Sequence, residues 1–182
     1  ASPVAEMLKP KGTISGRWES TKMVYRVNWK EAWAVCITQW VQFTFYPGVM
    51  LEYQWTFLPS AWFVITVVTY ASVSDTFGRW LAGKVDLLPK RHLLWVCMVR
   101  GALFTVLYML TFEGTAAFFE QQWFVIVLLF LFAATCGYLS TLAMKFGSDA
   151  ETKDQGLAGT IMGIHLSLGI SLGSTFAIVF LS

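Results

Sequence analysis

An acidic and a basic residue follow a long uncharged stretch of this sequence. Residues 53–74 carry no charge, and Asp75 and Arg79 come next, four positions apart. Residues at this spacing share a face of an α-helix, so the two side chains can pair. Ionised groups are costly in hydrocarbon, and inside membranes they usually face a helix bundle or an aqueous cavity. The pair therefore indicates a polar pathway. The alternatives are that Arg79 only begins a basic loop, and that Asp75 is a helix-terminal acid paired with it.

A second arginine, Arg100, lies in the next apolar stretch. The helical rise per residue would place it roughly 10 Å inside a membrane. Because a short loop joins the two stretches, we expect their helices to be neighbours, so that Asp75 and Arg100 can approach each other. Two roles stay open for Arg100: it lines the pathway, or it forms a structural ion pair that locks two helices.

Other residue types that support catalysis or metal binding are sparse. The three cysteines, Cys36, Cys97 and Cys136, fall in separate apolar stretches, which predicts free buried thiols rather than disulfides or metal ligands. The chain has only two histidines, and no nucleophile–base pair is evident. We therefore expect no enzymatic activity, no cofactor, no metal ion and no nucleic-acid partner.

The elements that position these charges are predicted to be membrane helices. The chain is 56% hydrophobic and 13% charged, whereas roughly a quarter of the residues in soluble domains are charged. Its apolar residues occur in blocks of about twenty, the length that crosses a bilayer. We predict an all-α, polytopic helix bundle in the lipid bilayer with five spans, near Ala32–Leu51, Ser60–Trp80, Leu93–Phe112, Trp123–Met144 and Leu157–Leu181.

The basic residues predict the orientation of these spans. Lysine and arginine occur in the segment 1–31 and in the loops after the second and fourth spans, while the other two loops contain only acidic charges. Cytoplasmic loops are enriched in lysine and arginine. The sequence thus predicts a polar, basic segment 1–31 on the cytoplasmic or an equivalent side, followed by a transmembrane domain 32–182 that ends on the opposite side.

Two spans contain residues that modify a regular helix. Pro47 removes a backbone donor and Gly48 loosens the next turn, which predicts a break in the first span or its early end. The fifth span holds two small-xxx-small pairs, which favour close packing between membrane helices. These pairs are Gly159 with Gly163, and Gly169 with Gly173.

Five segments, in order, resemble the equilibrative nucleoside transporter family. "FYPGV" is similar to its Phe-Pro-Gly/Ala break, "SDTFGRWLAG" to its Asp-x-x-Gly-Arg signature, and "MVRGALF" to the arginine-bearing helix that follows. "CGYLSTLAMKFG" resembles its Asn-Gly-Tyr segment and "AGTIMGIHLSLGISLG" its glycine-rich last helix. The resemblance implies that this chain is helices seven to eleven of eleven, half of a major-facilitator-like transporter.

The resemblance also implies a solute site. Asp75 and Arg79 would line the central cavity and bind the ribose of a nucleoside, and Ile170 would pack against the base. The family usually has asparagine at the positions of Ser72 and Cys136, so two amides are replaced here.

Two functions fit these features. The first is the C-terminal module of a nucleoside or nucleobase transporter, in the plasma membrane by resemblance, working with a six-helix N-terminal half. The second is a transporter-derived structural subunit that no longer transports, joined to other membrane subunits in an organellar inner membrane. Retention of Asp75, Gly78, Arg79 and Arg100 favours the first. Ser72, Cys136, the missing half and a chain that begins with Ala1 favour the second.

Overall fold

A computed structural model describes residues 14–46, 59–112, 121–148 and 155–181. These ranges form five α-helices, one short 3₁₀ helix (Lys90–His92) and no strand, so the predicted all-α helix bundle is confirmed. The helices are α1 (Ile14–Thr44), α2 (Ser60–Lys84), α3 (Leu93–Phe112), α4 (Gln122–Ser148) and α5 (Gln155–Leu181). The predicted break at Pro47 and Gly48 lies outside the described residues.

The helix bounds agree with the sequence prediction except at one end. Helix α3 has the predicted limits, while α2, α4 and α5 extend the predicted spans by a few residues. Helix α1 instead begins at Ile14, so that much of the basic segment is helical and continuous with the first span. Residues 17–46 contain neither proline nor glycine, and nothing in them stops the helix where the apolar run begins.

Helices α1 and α4 form the centre of the bundle. Helix α1 packs most extensively against α5 and also contacts α3 and α4, while α2 packs on α4. Two groups of buried side chains fill the spaces between them. One surrounds Leu93, Leu142 and Met162, and the other is rich in aromatic rings, among them Phe104 and Phe132.

The sequence analysis expected helices α2 and α3 to pack side by side, and in the structure they do not. A groove of about 770 Å³ lies between them, and its walls are mostly apolar residues of α2, α3 and α4, with Arg100 and Thr135 also among them. The loop that joins them is fixed to α4 instead. The Tyr138 hydroxyl accepts from the Leu87 amide at 2.8 Å and donates to the Val85 carbonyl at 3.0 Å. Lys145 pairs with Asp86 at 2.8 Å. A short connection therefore brought α2 and α3 to the same helix, α4, and not to each other.

Three helices among the described residues are long and apolar enough to cross a membrane. They are Lys90–Leu110, Gln122–Ser148 and Gln155–Val179. Large apolar side chains such as Val106, Val127 and Ile178 point outward from them, as expected where the neighbour is lipid. Helices α1 and α2 are less apolar, because glutamine, serine, threonine and charged residues interrupt them. That these two also span the bilayer stays a prediction.

The three cysteines are free and buried, as predicted. Within the four described ranges, no cluster of histidine, cysteine and carboxylate side chains is placed to hold a metal ion.

Candidate solute-binding site

Two glycines bring α2 and α4 into backbone contact beside the charged pair. A Cβ atom at Gly78 would overlap the carbonyl oxygen of Ala134, and one at Gly137 would overlap the carbonyl oxygen of Asp75. Backbone atoms in helices cannot move aside as flexible side chains do. The crossing therefore requires glycine on both helices, and it fixes the position of Asp75 against α4.

Asp75 and Arg79 form the contact that their spacing allows. The Nε atom of Arg79 donates to Oδ2 of Asp75 at 2.6 Å. The pair is not sealed in the core, since the side chain of Asp75 is 25% exposed and that of Arg79 is 45% exposed. Nearby, the Ser72 hydroxyl donates to the Val68 carbonyl at 2.8 Å, which uses its proton and leaves its oxygen as an acceptor.

The pair opens into a cavity of about 270 Å³ between α1 and α2. Helix α2 contributes Ala71, Ser72, Asp75, Thr76 and Arg79 to its wall. Helix α1 contributes Gln39, Gln42 and Phe43, Tyr46 follows shortly after its end, and α4 contributes Cys136. Acceptors, donors and two aromatic rings therefore meet in one space, an arrangement suited to a solute that is polar and has a flat apolar face.

The wall on α1 is more polar than the sequence analysis expected. Gln39 and Gln42 are 4% and 7% exposed. The Gln42 Oε1 atom and the Tyr46 hydroxyl have no hydrogen-bond partner in the described part of the chain. Their spacing was a usable signal, since residues 39, 42 and 46 recur at three and four positions and so share a helix face.

Arg100 lies apart from this cavity, where α3 meets α4. Its Nε atom donates to the Thr135 hydroxyl at 2.8 Å, and its Nη2 atom donates to the Phe132 carbonyl at 2.6 Å. The guanidinium carbon is 5.3 Å and 4.8 Å from the ring centroids of Phe104 and Phe132. Arg100 is in no ion pair among the described residues, so the expected pairing with Asp75 does not form.

The sequence model that describes nucleoside transporters matches residues 9–182. The chain belongs to the nucleoside transporter family. The family resemblance of the five sequence segments is thereby confirmed, and with its apolar helices this member of the family is a multi-pass integral membrane protein.

Similar proteins come from plants and animals. The equilibrative nucleotide transporter 8 of Arabidopsis thaliana is 27% identical over 159 residues, which are 85% of this chain and 40% of that protein. The equilibrative nucleoside transporter 4 of Danio rerio is 25% identical over 177 residues, which are 92% of this chain and 34% of that protein. The human equilibrative nucleoside transporter 1 is 28% identical over 167 residues, which are 82% of this chain and 35% of that protein. The chain thus spans 34–40% of the length of these relatives.

The glycine pairs of this nucleoside transporter family member differ in their surroundings. A Cβ atom at Gly169 would overlap the Cys36 carbonyl oxygen, and one at Gly173 would lie 2.6 Å from the Trp40 carbonyl oxygen. These two glycines therefore allow α5 to pack closely on α1. Gly159 and Gly163 have no atom within 4 Å of such a Cβ in the described part of the chain.

The structure does not bring Ile170 to the charged pair. Ile170 is partly exposed on α5, beside the close contact that Gly169 makes with α1. Among the described residues, those around the Asp75 cavity come from α1, α2 and α4. The contact of Ile170 with a base stays a prediction.

Proposed function

We propose that this chain is the C-terminal module of a nucleoside or nucleobase transporter, and that Asp75 and Arg79 bind the sugar of a nucleoside. The observation that carries the proposal is the exposure of this ion pair to a polar cavity between helices. Charged groups inside membrane bundles commonly mark the path of a polar solute.

The geometry of the pair suits a sugar. Arg79 contacts Oδ2 of Asp75, so the carboxylate is oriented while Oδ1 can accept from a hydroxyl group. The other nitrogens of the guanidinium can donate to sugar oxygens in a fixed, planar arrangement. The two glycines at the crossing keep Asp75 in register with α4, so the site is held by backbone contacts.

Transport needs more helices than the five described here. Alternating access moves one helix bundle against another around a shared site. We propose that a six-helix N-terminal half, or other membrane subunits, completes the cavity on the side that α1, α2 and α4 leave open. By the family resemblance, the plasma membrane is the proposed location, which fluorescence microscopy of the tagged protein can check against an organellar membrane.

The test of the site is the substitution Asp75→Asn, which keeps the shape and removes the charge. Uptake of a labelled nucleoside is measured in cells without their own nucleoside transport that express the chain with its N-terminal half. Hydrogen bonds to charged groups contribute about 1.5–3 kcal/mol, so the apparent affinity should fall roughly tenfold or more. Asp86→Asn is the matched control, because Asp86 pairs with Lys145 in a loop away from the cavity. It should leave uptake unchanged.

The opposite result would support the second function, a non-transporting structural subunit. Ser72 and Cys136 favour it, because both line the cavity at positions where the family usually has an amide. In that case Asp75→Asn would leave uptake at the level of the unaltered chain and would impair assembly of the host complex, which native gel electrophoresis would show.

A further inference from the structure

The most unusual polar residue of the cavity is Gln42. Its side chain is buried, with 7% exposed, and lies on α1, facing the cavity that contains the Asp75–Arg79 pair. Its Oε1 atom has no hydrogen-bond partner among the described residues. An unpaired amide oxygen in a protein interior lowers stability, so buried polar groups are normally satisfied. A ligand in the cavity would supply the missing partner.

The surroundings of Gln42 indicate which part of a solute it would meet. Asp75 and Arg79 lie on the α2 wall, and Gln42 lies with Tyr46 on the α1 wall. The Tyr46 hydroxyl, one helical turn further, is also without a partner in the described ranges. A solute whose sugar is bound at the α2 wall therefore presents its other end to these two side chains.

We infer that Gln42 binds the hydrogen-bonding edge of the base and so helps to select the solute. This inference rests on the proposed function. A carboxamide offers one acceptor oxygen and two donor protons, which complement the amino, oxo and ring-nitrogen groups at a base edge. The solute class is then a nucleoside whose base carries an exocyclic amino or oxo group. A base without such a group leaves the carboxamide unpaired.

The experiment compares solutes that share the ribose and differ at one base position. Adenosine, inosine and purine riboside compete for uptake in one sample. The ratio of the uptake of each of the first two to that of purine riboside then does not depend on the protein level. The three bases carry an amino group, an oxo group and a hydrogen at that position. The unaltered protein should prefer at least one of the first two over purine riboside by roughly tenfold, the effect of one hydrogen bond that cannot form.

Gln42→Met keeps the size of the side chain and removes its hydrogen-bonding groups. It should bring the ratio of preferred nucleoside to purine riboside uptake close to one, mainly by weakening uptake of the preferred nucleoside. Gln42→Asn is a second variant that keeps a carboxamide but withdraws it by one methylene, and it should reduce the ratio as well. Thr38→Val is the matched control, since Thr38 is buried on the same helix and outside the cavity lining. It should keep the ratio of the unaltered protein.

The outcomes separate this inference from the proposed function. Nucleoside uptake with a ratio that neither variant changes would overturn the role of Gln42 and leave the sugar site intact. Asp75→Asn should weaken all three solutes alike, because they share the ribose. Absence of nucleoside uptake by the unaltered protein would overturn the proposed function, and the role of Gln42 with it.

Discussion

Arg79 and Arg100 show two ways in which this bundle holds a positive charge. Arg79 has an acidic partner, is 45% exposed and borders a polar cavity. Arg100 is 6% exposed, bonds to a hydroxyl and a carbonyl, and lies over two aromatic rings. The two side chains lie on different helices, and each of these helices contacts α4.

The different surroundings of the two arginines predict different roles for them. The hydrogen-bond partners of Arg100 come from α4, so this arginine joins α3 to α4, and it lines the groove between α2 and α3 rather than the cavity of Asp75. Arg79 makes its ion pair within its own helix, and surface pairs of this kind contribute little to stability. Burial and partners, rather than charge alone, decide which arginine is available to a ligand.

The largest difference in stability between two variants is expected when each arginine is replaced by leucine. Arg100→Leu removes two hydrogen bonds from a charged group and leaves the α3–α4 contact without its polar link, which should lower the free energy of unfolding by about 3 kcal/mol or more. Arg79→Leu should lower it by less than about 1 kcal/mol. Thermal unfolding in detergent, followed by circular dichroism, measures both. Equal losses would contradict the separation of the two roles.

A smaller effect is expected at the glycine crossing that holds Asp75 against α4. Gly137→Ala places a methyl group on the Asp75 carbonyl, and such overpacking costs about 1–3 kcal/mol. Because Asp75 must then shift, nucleoside uptake should fall as well. Gly83→Ala is the control, since a Cβ there meets no atom within 4 Å in the described residues. It should stabilise α2 by up to about 1 kcal/mol. Equal behaviour of the two variants would show that the crossing is looser than described.

The smallest effect concerns one partner of Arg100. Thr135→Val removes the hydroxyl that accepts from Arg100 Nε while the Phe132 carbonyl remains, so the loss should be about 1 kcal/mol. Thr160→Val removes an exposed hydroxyl that bonds only to its own helix, and it should have almost no effect. The same unfolding measurement applies. If the Thr135→Val variant is as stable as the unaltered protein, the hydroxyl does not contribute, and only the Phe132 carbonyl and the two aromatic rings stabilise Arg100.

Sequence reasoning was most accurate for features that depend on local spacing. The limits of α3 follow from an apolar run with charges at its start, and the pairing of Asp75 with Arg79 follows from their positions on one helix turn. The family assignment also rested on short segments in a fixed order, and the match over residues 9–182 confirms it.

Features that depend on which helices meet were not predictable in the same way. The expected approach of Asp75 to Arg100 assumed that a short loop makes α2 and α3 neighbours. In the structure Gly78 and Gly137 bring α2 onto α4 instead. Gln42 was missed for a related reason: its spacing from Gln39 and Tyr46 indicates a shared helix face, but the sequence does not show which helix that face meets. The early start of α1 was missed because hydropathy marks membrane spans and does not mark where a helix begins.

The crossing of α2 and α4 has a mechanical consequence. Helix α2 touches α4 closely at Gly78 and Gly137, and a groove lies between it and α3. Measured from Asp75, whose carbonyl lies on Gly137, α2 extends about 22 Å toward Ser60 and about 13 Å toward Lys84. A tilt of about 10° about this contact would swing the Ser60 end of the helix by about 4 Å on this geometry. The Asp75 carboxylate, which lies beside the contact, would move much less than either end of the helix.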